Sequence, residues 1–552
     1  MRSLIVKTLP LATMLALLPA CQRADAPGTA HAGSTAATAK PAAPAAAPRD
    51  GFAFAEVGID ELQARMGRGE LTSHALTQAY LDRIAAIDDA GPQLNAVIEL
   101  NPAALKEADA LDAERKAGRV RGPLHGVPVL LKDNIDATPM ANSAGSLALA
   151  SHHPRTDAFV VARLRDAGAV ILGKTNLSEW ANFRSSRSTS GWSARGGQTR
   201  NPYALDRSPC GSSSGSGAAV AANFAAAAIG TETDGSIVCP SSVAGLVGIK
   251  PTVGLVSRSG IIPISHSQDT AGPMARSVAD AAALLTAMAG RDEADPATAT
   301  MPGRAVYDYT SRLNADGLRG ARVGVLYGDL MQKPGIAPAL QHAVAVLRDA
   351  GATVVPVQLP TQGQWQDAER IVLMHEFKAG LQRYFTTYQA PVRSLEDVIA
   401  WNRQHAGKEL ALFDQDLMET AAAMGGPGTP AYIRARSDAR RLAGPEGIDA
   451  VLREQKLDAL VAPTTGVAWP IRPGSGDDFP GESYSAAAVA GYPSLTVPMA
   501  HVNGLPLGLL FMGTAWSEPR LIELGYAYEQ RTRARRPPRF QTDSLLTNAV
   551  AP

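Results

Sequence analysis

Residues 209–217 of the chain read PCGSSSGSG, and residues 231–236 read TETDGS. Glycine lacks a β-carbon, so a stretch this rich in glycine can turn tightly and present its backbone N–H groups to a ligand. Serine adds hydroxyl groups that act as nucleophiles when a base lies beside them. We interpret the two stretches together as the catalytic centre around which the rest of the chain is organised.

The overall composition is that of an ordinary globular protein. The 552 residues include 52 Lys and Arg against 52 Asp and Glu, which gives a formal net charge of zero. No global field therefore attracts nucleic acid, an acidic substrate or a membrane surface. A chain of this length can bury a sizeable core, and its neutrality favours a small-molecule or peptide substrate. We expect no nucleic-acid partner.

The N-terminus has the pattern of an export signal. Arg2 and Lys7 precede the apolar run Leu9–Leu18, which is too short to span a bilayer as a helix but has the length of a signal-peptide core. We predict a signal peptide at residues 1–21 and an exported, bacterial protein. The ending Leu-Pro-Ala-Cys resembles a lipobox, which predicts a lipid anchor at Cys21 and a periplasmic or membrane-anchored location. Ordinary cleavage a few residues later is the alternative.

Composition also divides the remainder of the chain. Residues 22–51 are mostly Ala, Pro, Thr and Gly, which cannot bury enough apolar surface to fold, so we predict a disordered tether. Residues 52–540 are predicted to form one domain, followed by a C-terminal tail at 541–552. From about 365 to 453 the pattern is almost wholly helical, which predicts a helical insertion within that domain.

The periodicity of the domain indicates an α/β fold with layers around a central sheet. Helical spacing, for example at 157–167, 277–288 and 337–350, alternates with apolar runs that are typical of buried strands. Those runs lie at 96–100, 127–131, 170–172, 225–230, 323–327, 353–357, 460–463, 495–497 and 507–512.

Two well-known sequence motifs occur in the chain, but the residues around them do not predict the secondary structure that each motif requires. Residues 168–175, GAVILGKT, satisfy the phosphate-loop expression, but their apolar centre predicts a buried strand and no helix opens at Lys174. Residues 211–215 satisfy the nucleophile-elbow expression with Ser213 at its centre. That motif needs a preceding strand, whereas residues 201–209 are polar and contain two prolines. We therefore predict neither nucleotide binding nor a nucleophilic Ser213.

Two cysteines remain after the predicted signal peptide, Cys210 and Cys239, and each lies beside one of the two stretches quoted first. An exported protein can join such a pair in a disulfide. We expect the commoner outcome, two small buried residues, and keep the disulfide as the alternative.

No histidine has a partner at metal-ligand spacing, since His375-Glu376 lacks the second histidine of a zinc protease motif. We predict no metal site.

Three separated segments, 126–134, 211–217 and 230–236, together resemble the amidase signature family. The first reads GVPVLLKDN and the third GTETDGS, and the resemblance extends from about residue 52 to 535. It implies an amidase-signature fold: a central mixed β-sheet covered on both faces by helices, with a helical insertion.

The resemblance also implies a Ser-Ser-Lys triad. Position by position, Lys132 matches the general base, Ser212 the bridging serine and Ser236 the nucleophile that accepts the acyl group. A cis peptide bond is implied before Ser212, and burial after an apolar strand would leave the Lys132 amine neutral. The implied oxyanion hole consists of the backbone N–H groups of Thr233, Asp234, Gly235 and Ser236. No cofactor is implied.

Departures from the common family pattern at Cys210, Ser214 and Asp234, together with the runs 176–183, 478–484 and 513–519, resemble the peptide amidase branch, which removes the C-terminal amide of peptides. We therefore expect an amidase that acts on peptide amides without an obligate protein partner. The alternatives are an amidase for aryl, acyl or aliphatic amides and a periplasmic solute-binding lipoprotein. The ammonia-donating component of a tRNA amidotransferase belongs to the same family, but the predicted export argues against it, because its partners are cytoplasmic.

Overall fold

An eleven-stranded sheet passes through the centre of the molecule. The computed structural model describes residues 51–303 and 308–541, and all of them belong to one compact unit. The predicted signal peptide with Cys21, nearly all of the predicted tether and residues 542–552 lie outside the described residues. Among the described helices, none combines the length and the apolar character that crossing a membrane requires.

The sheet is mixed: β3, β2 and β6 run parallel to one another, as do β11, β9 and β10, and the other neighbouring pairs, including β1 with β3 at the edge, are antiparallel. Its order is β1-β3-β2-β6-β8-β7-β12-β13-β11-β9-β10, and β4 pairs with β5 in a separate hairpin. The strands are β1 Val97–Leu100, β2 Pro128–Lys132, β3 Val170–Thr175, β4 Trp192–Ser193, β5 Gly197–Gln198, β6 Ala227–Glu232, β7 Val247–Lys250, β8 Thr270–Ala275, β9 Arg322–Leu326, β10 Thr353–Val357, β11 Ala459–Pro463, β12 Ser494–Val502 and β13 Leu505–Met512.

Helices cover both faces of the sheet, as predicted for an α/β amidase-signature fold. They are α1 Ile59–Gly67, α2 Ser73–Ile84, α3 Ala104–Lys116, α4 Phe159–Asp166, α5 Ser214–Ala221, α6 Val238–Val243, α7 Val278–Met288, α8 Ile336–Asp349, α9 Gln366–Thr387, α10 Leu395–Gln404, α11 Ala406–Glu409, α12 Asp416–Ala422, α13 Pro430–Ala443, α14 Asp449–Gln455, α15 Ser485–Ala490 and α16 Glu518–Thr532.

Two neighbouring parallel strands determine where the functional groups meet. β2 and β6 pair in parallel, with Leu131 opposite Ile229. All five residues of β2 and all six of β6 are buried, which explains their near-continuous apolar sequences. Because parallel strands end at the same edge of a sheet, Lys132 at the end of β2 lies beside Thr231 and Glu232 at the end of β6.

The predicted strands are all present, and residues 168–175 contain the fully buried strand β3, which confirms that they form no phosphate loop. Two strands of the large sheet, β7 and β8, were not predicted, and neither was the short β4–β5 hairpin. Gly248 interrupts the first, and the second contains Gly272 and Pro273, residues that disfavour strands when the chain is judged locally. Pairing with neighbours on both sides stabilises β8 in spite of this composition.

Between β10 and β11 the chain is helical, from α9 to α14. This segment packs back onto the site rather than projecting from it. Phe377 and Leu381 of α9 share a hydrophobic cluster with Trp180 and Ile264, which belong to loops around the cavity described below. The helical segment therefore forms one wall of that cavity.

Candidate active site

Lys132 occupies the last position of β2 and is completely buried. Its Nζ lies 2.8 Å from Ser212 Oγ, 2.9 Å from Thr231 Oγ1 and 3.1 Å from the Thr231 carbonyl oxygen. Asn134 Nδ2 donates to the same Thr231 hydroxyl at 3.0 Å. The amine is therefore held in one orientation, with the Ser212 hydroxyl as one of its contacts.

Burial without a carboxylate contact distinguishes Lys132 from Lys174, the equally buried lysine of β3. Lys174 Nζ makes an ion pair with Asp133 Oδ1 at 3.1 Å. Among the described residues, no carboxylate lies within ion-pair distance of Lys132. Burial lowers the pKa of Lys132 to about 7, against weaker opposing effects of Asp269 and Glu232. A substantial fraction of the amine is therefore neutral and able to accept a proton near neutral pH.

The loop that carries Ser212 is packed tightly against other backbone segments. Its Gly211–Ser212 peptide bond is cis, as the family resemblance implies. Ser178 N donates to the Ser212 carbonyl oxygen at 3.1 Å, and a β-carbon added at Gly211 would lie 2.3 Å from Ser178 Oγ. Only glycine fits at position 211, because Ser178 lies too close for any β-carbon there. The Ser212 side chain is directed towards Lys132.

Ser236 lies in the turn between β6 and α6, at the wall of an open cavity of about 240 Å³. It is the one triad candidate that is not fully enclosed, with 8% of its surface exposed against 0% for Lys132 and Ser212. Ser213 N donates to the Ser236 carbonyl oxygen at 3.1 Å, which joins the two loops. The three residues that the resemblance selected are thus brought into one region, with Ser236 facing the cavity.

Ser213 itself has a structural role. It precedes α5, its Oγ donates to the Thr231 carbonyl oxygen at 3.0 Å, and it accepts from Thr231 N at 3.2 Å. Within the described residues no strand immediately precedes this loop, which confirms that it is not a nucleophile elbow.

The turn at 233–236 exposes backbone donors beside Ser236. The N–H groups of Asp234 and Ser236 donate to no other described residue. Gly235 has a φ of +81°, in the left-handed region, and a β-carbon there would lie 2.2 Å from Cε2 of the buried Tyr484 ring. Only glycine fits this position, and the turn it permits leaves the N–H groups of Asp234 and Ser236 without a protein acceptor among the described residues.

We expect Gly235→Ala to reduce turnover by about 100-fold, because moving the turn displaces donors that each contribute several kcal/mol to barrier lowering. Thermal unfolding should also occur at lower temperature, since the variant combines a positive φ with overpacking against Tyr484. Gly504→Ala is the matched control, with a φ of +78° and no atom within 4 Å of its added β-carbon. Ammonia release by Gly235→Ala within twofold of the parent protein would contradict this role for the turn.

Two carboxylates that we did not single out from the sequence accept hydrogen bonds from residues of this turn and from the residues just after it. Glu232 Oε2 accepts from Ile237 N at 2.8 Å and Val238 N at 3.0 Å. Asp269 Oδ1 accepts from Thr233 Oγ1 at 2.6 Å. Burial raises the pKa of Glu232, and raises that of Asp269 to about 6. Glu232 lies in one of the segments that carry the resemblance, so only its contacts were missing from the sequence.

A second set of carboxyls surrounds Asp234. Burial, reinforced by the neighbouring carboxyls of Glu369 and Glu482, raises the pKa of Asp234 well above its usual range. Burial likewise raises the pKa of Glu369 to about 7, and Gln268 Nε2 donates to its Oε1 at 2.9 Å. These upward shifts of the pKa favour uncharged carboxyl groups and so limit the negative charge beside the turn.

Most walls of the cavity were not predicted as functional. Trp469 and Phe479 contact each other edge to face at 5.4 Å between ring centroids, and Phe479 is 43% exposed. Leu373 of α9 and Phe183 supply further apolar surface, and Asp477 accepts from the Ser190 backbone N–H at 3.2 Å. Phe183 and Phe479 belong to runs that carry the resemblance to the peptide amidase branch, but these residues come from distant parts of the chain and nothing local in the sequence places them in one cavity.

The expectation of two separate buried cysteines is wrong. Cys210 and Cys239 form a disulfide, with their Cα atoms 6.1 Å apart. The fold brings together the two loops that carry them, a proximity that their separation of 29 residues did not reveal. Elsewhere in the described ranges, no group of three or more His, Cys, Asp or Glu side chains is arranged to hold a metal ion.

Comparison with known proteins gives consistent matches over most of the chain. The sequence profile of the Amidase family matches residues 75–522. A native peptide amidase from Stenotrophomonas maltophilia superposes with a TM-score of 0.87 and 71% identity, covering 89% of this chain and 100% of the other. A probable amidase from Arabidopsis thaliana is 42% identical over 504 residues, 89% of this chain and 92% of that relative. One component of a glutamyl-tRNA(Gln) amidotransferase from Roseiflexus sp. (strain RS-1) is 36% identical over 491 residues, 86% and 96% of the two chains.

Proposed function

The chain belongs to the amidase signature family and is an amide-hydrolysing enzyme, and from this premise we propose that it removes the C-terminal amide of peptides, releasing ammonia. The observation that carries the substrate class is the 71% identity with a peptide amidase across 89% of this chain. The contact between Lys132 Nζ and Ser212 Oγ supports the proposed transfer of a proton from serine to lysine.

In the proposed reaction Ser236 Oγ attacks the carbonyl carbon of the terminal amide. Ser212 takes the Ser236 proton and passes its own hydroxyl proton to the neutral Lys132 amine. The carbonyl oxygen becomes an oxyanion beside the N–H groups of the turn at 233–236, where one donor contributes about 3–4 kcal/mol. The buried amine, its serine contact and the exposure of Ser236 to the cavity support these roles for Lys132, Ser212 and Ser236.

Collapse of the tetrahedral intermediate breaks the C–N bond. The proton held by Lys132 returns through Ser212 to the leaving nitrogen, so ammonia departs as a neutral molecule and an acyl-enzyme remains on Ser236. Water then attacks the ester with the same relay acting as base, which restores Ser236 and releases the peptide acid. One water is consumed, and the amine ends neutral as it began.

The cavity has the character that a short peptide requires. Its apolar walls include Trp469, Phe183 and Leu373, and Phe479 stands exposed at one side, where it can contact a substrate side chain. Polar groups such as Asn182 and Ser190 line the same space and can bind peptide N–H and C=O groups. Because Ser236 forms part of the same lining, a bound peptide can place its C-terminal amide beside the nucleophile.

The test is ammonia release from a short peptide amide, measured beside the same peptide as a free acid. We expect ammonia from the amide alone, with internal peptide bonds left intact in a chromatographic analysis of the products. Cleavage of internal bonds, or faster turnover of aryl or small aliphatic amides across a panel, would instead support the broader amidase alternative. A protein that neither turns over any amide nor reacts at Ser236 with a fluorophosphonate would fit the solute-binding alternative.

A further inference from the structure

The Cys210–Cys239 disulfide connects the two loops that carry the reacting serines. Cys210 lies two residues before Ser212, and Cys239 lies three residues after Ser236. Each cysteine is also tied to its own loop: the Cys210 carbonyl oxygen accepts from Ser214 Oγ at 2.6 Å, and Cys239 N donates to the Gly235 carbonyl oxygen at 2.8 Å. The covalent bond therefore joins two small, locally rigid units rather than two free chain segments.

The connection matters because the two parts of the relay lie on different loops. Lys132 and Ser212 are held 2.8 Å apart by the packing at the ends of β2 and β6. Ser236 belongs to the separate turn before α6, which the backbone hydrogen bond from Ser213 N to the Ser236 carbonyl oxygen joins to the serine loop. Proton transfer needs the two serine hydroxyls within hydrogen-bond reach, and a displacement of about 1 Å can reduce a rate by about 100-fold.

We propose that the Cys210–Cys239 disulfide is a positioning element for catalysis, which sets the spacing between Ser212 and Ser236, so that full turnover requires the oxidised cysteines. This inference rests on the proposed function. The export predicted from the N-terminal sequence would place the enzyme where such a bond persists.

One of the two cysteines also lies at the wall of the active-site cavity. Cys210 lines the active-site cavity and is 4% exposed, whereas Cys239 is completely buried. A dithiol reductant that enters the cavity attacks the Cys210 sulfur, forms a mixed disulfide there and releases the Cys239 thiolate, which takes up a proton. The second thiol of the reductant then displaces Cys210, leaving two protein thiols and a cyclic oxidised reductant. A peptide amide in the cavity should slow this reaction, since it occupies the same space.

The test compares the oxidised protein with the same protein reduced by dithiothreitol, assayed well below its melting temperature. We expect kcat for a peptide amide to fall at least about tenfold, because the spacing of the two serines changes. KM should change less than about twofold, because reduction leaves the other side chains that line the cavity unchanged. The rate of Ser236 labelling by a fluorophosphonate should fall in parallel. The pH at half-maximal kcat should stay near 7, since Lys132 and its contacts are unchanged.

The matched control is the double variant Cys210→Ser with Cys239→Ser. It should show the low kcat of the reduced protein and should not respond to dithiothreitol, which assigns the effect to this bond and not to Cys21. Titration of free thiols establishes the state of each sample, and circular dichroism establishes that it is folded.

The outcomes separate the two proposals. A reduced, folded protein with kcat within twofold of the oxidised form would overturn the positioning role while leaving the proposed function intact. Unfolding of both the reduced protein and the double variant would also overturn it, in favour of a purely structural crosslink. Absence of turnover and of labelling in the oxidised protein would remove the proposed function, and this inference with it.

Discussion

Replacing Ser236 by alanine is expected to reduce turnover of a peptide amide by at least about 10⁴-fold, because it removes the nucleophile on which the acyl-enzyme forms. The fold should remain. Ser236 is 8% exposed at the cavity, and its contact with the serine loop uses the backbone carbonyl oxygen, which alanine keeps. Parallel measurements of ammonia release and thermal unfolding check both parts, and the melting temperature should shift by only a few degrees.

Ser213→Ala is the matched control for Ser236→Ala, because it removes a nearby serine hydroxyl that has a structural role. The Ser213 hydroxyl is satisfied by the Thr231 carbonyl oxygen and N–H, so its loss should lower the free energy of unfolding by about 1–3 kcal/mol with a much smaller effect on kcat. Should Ser236→Ala retain the ammonia release of the parent, or Ser213→Ala be the inactive variant, the nucleophile would have been assigned to the wrong serine.

The second large effect concerns Lys132. Lys132→Met keeps an unbranched side chain of similar length but removes the amine, and we expect kcat to fall by about 10²–10⁴-fold, the range for loss of a positioned general base. Lys132→Arg retains donors for Ser212 and Thr231, yet its guanidinium stays protonated at any assay pH. It should therefore be as inactive as the methionine variant, which separates the role of the neutral amine from that of the hydrogen bonds.

The pH dependence of the parent protein follows from the same residue. Burial lowers the pKa of Lys132 from 10.5 to about 7, and only the neutral form can accept a proton. Activity should therefore fall by about tenfold per pH unit below pH 7 and reach a plateau above it. Measurement of kcat between about pH 5 and 9 tests this expectation. A profile that stays flat through pH 7 would show that Lys132 is not the group whose ionisation controls the relay.

Much of the fold could be predicted because burial on both faces leaves a strong local signal. The strand β2 is apolar at Val129, Leu130 and Leu131, and each of these side chains is completely buried. The failures at β7 and β8 have the opposite cause. Their glycines and Pro273 weaken the local preference for a strand, and pairing with adjacent strands compensates.

The residues of the candidate site and a buried, neutral Lys132 were proposed from the sequence, but the contacts that distinguish this lysine from others were not. Lys132 and Lys174 each come near the end of an apolar strand, and nothing in the local sequence separates them. The ion pair between Lys174 and Asp133 does so, since it leaves Lys132 as the lysine of this pair without a carboxylate contact. Local reasoning about Cys210 and Cys239 failed for a similar reason, because bond formation depends on the distance between two loops.

Three features could be identified without the structure: the glycines that permit tight turns, the serines and lysine in motifs of one enzyme family, and the apolar runs of the sheet. These signals are local, because they depend on residue type and on spacing along the chain. The disulfide, the walls of the cavity and the surroundings that set the pKa of Lys132 depended instead on the tertiary structure. Each of these depends on contacts between distant residues, such as Lys132 with Thr231 or Phe183 with Phe377, whose energies arise only when the whole core has packed.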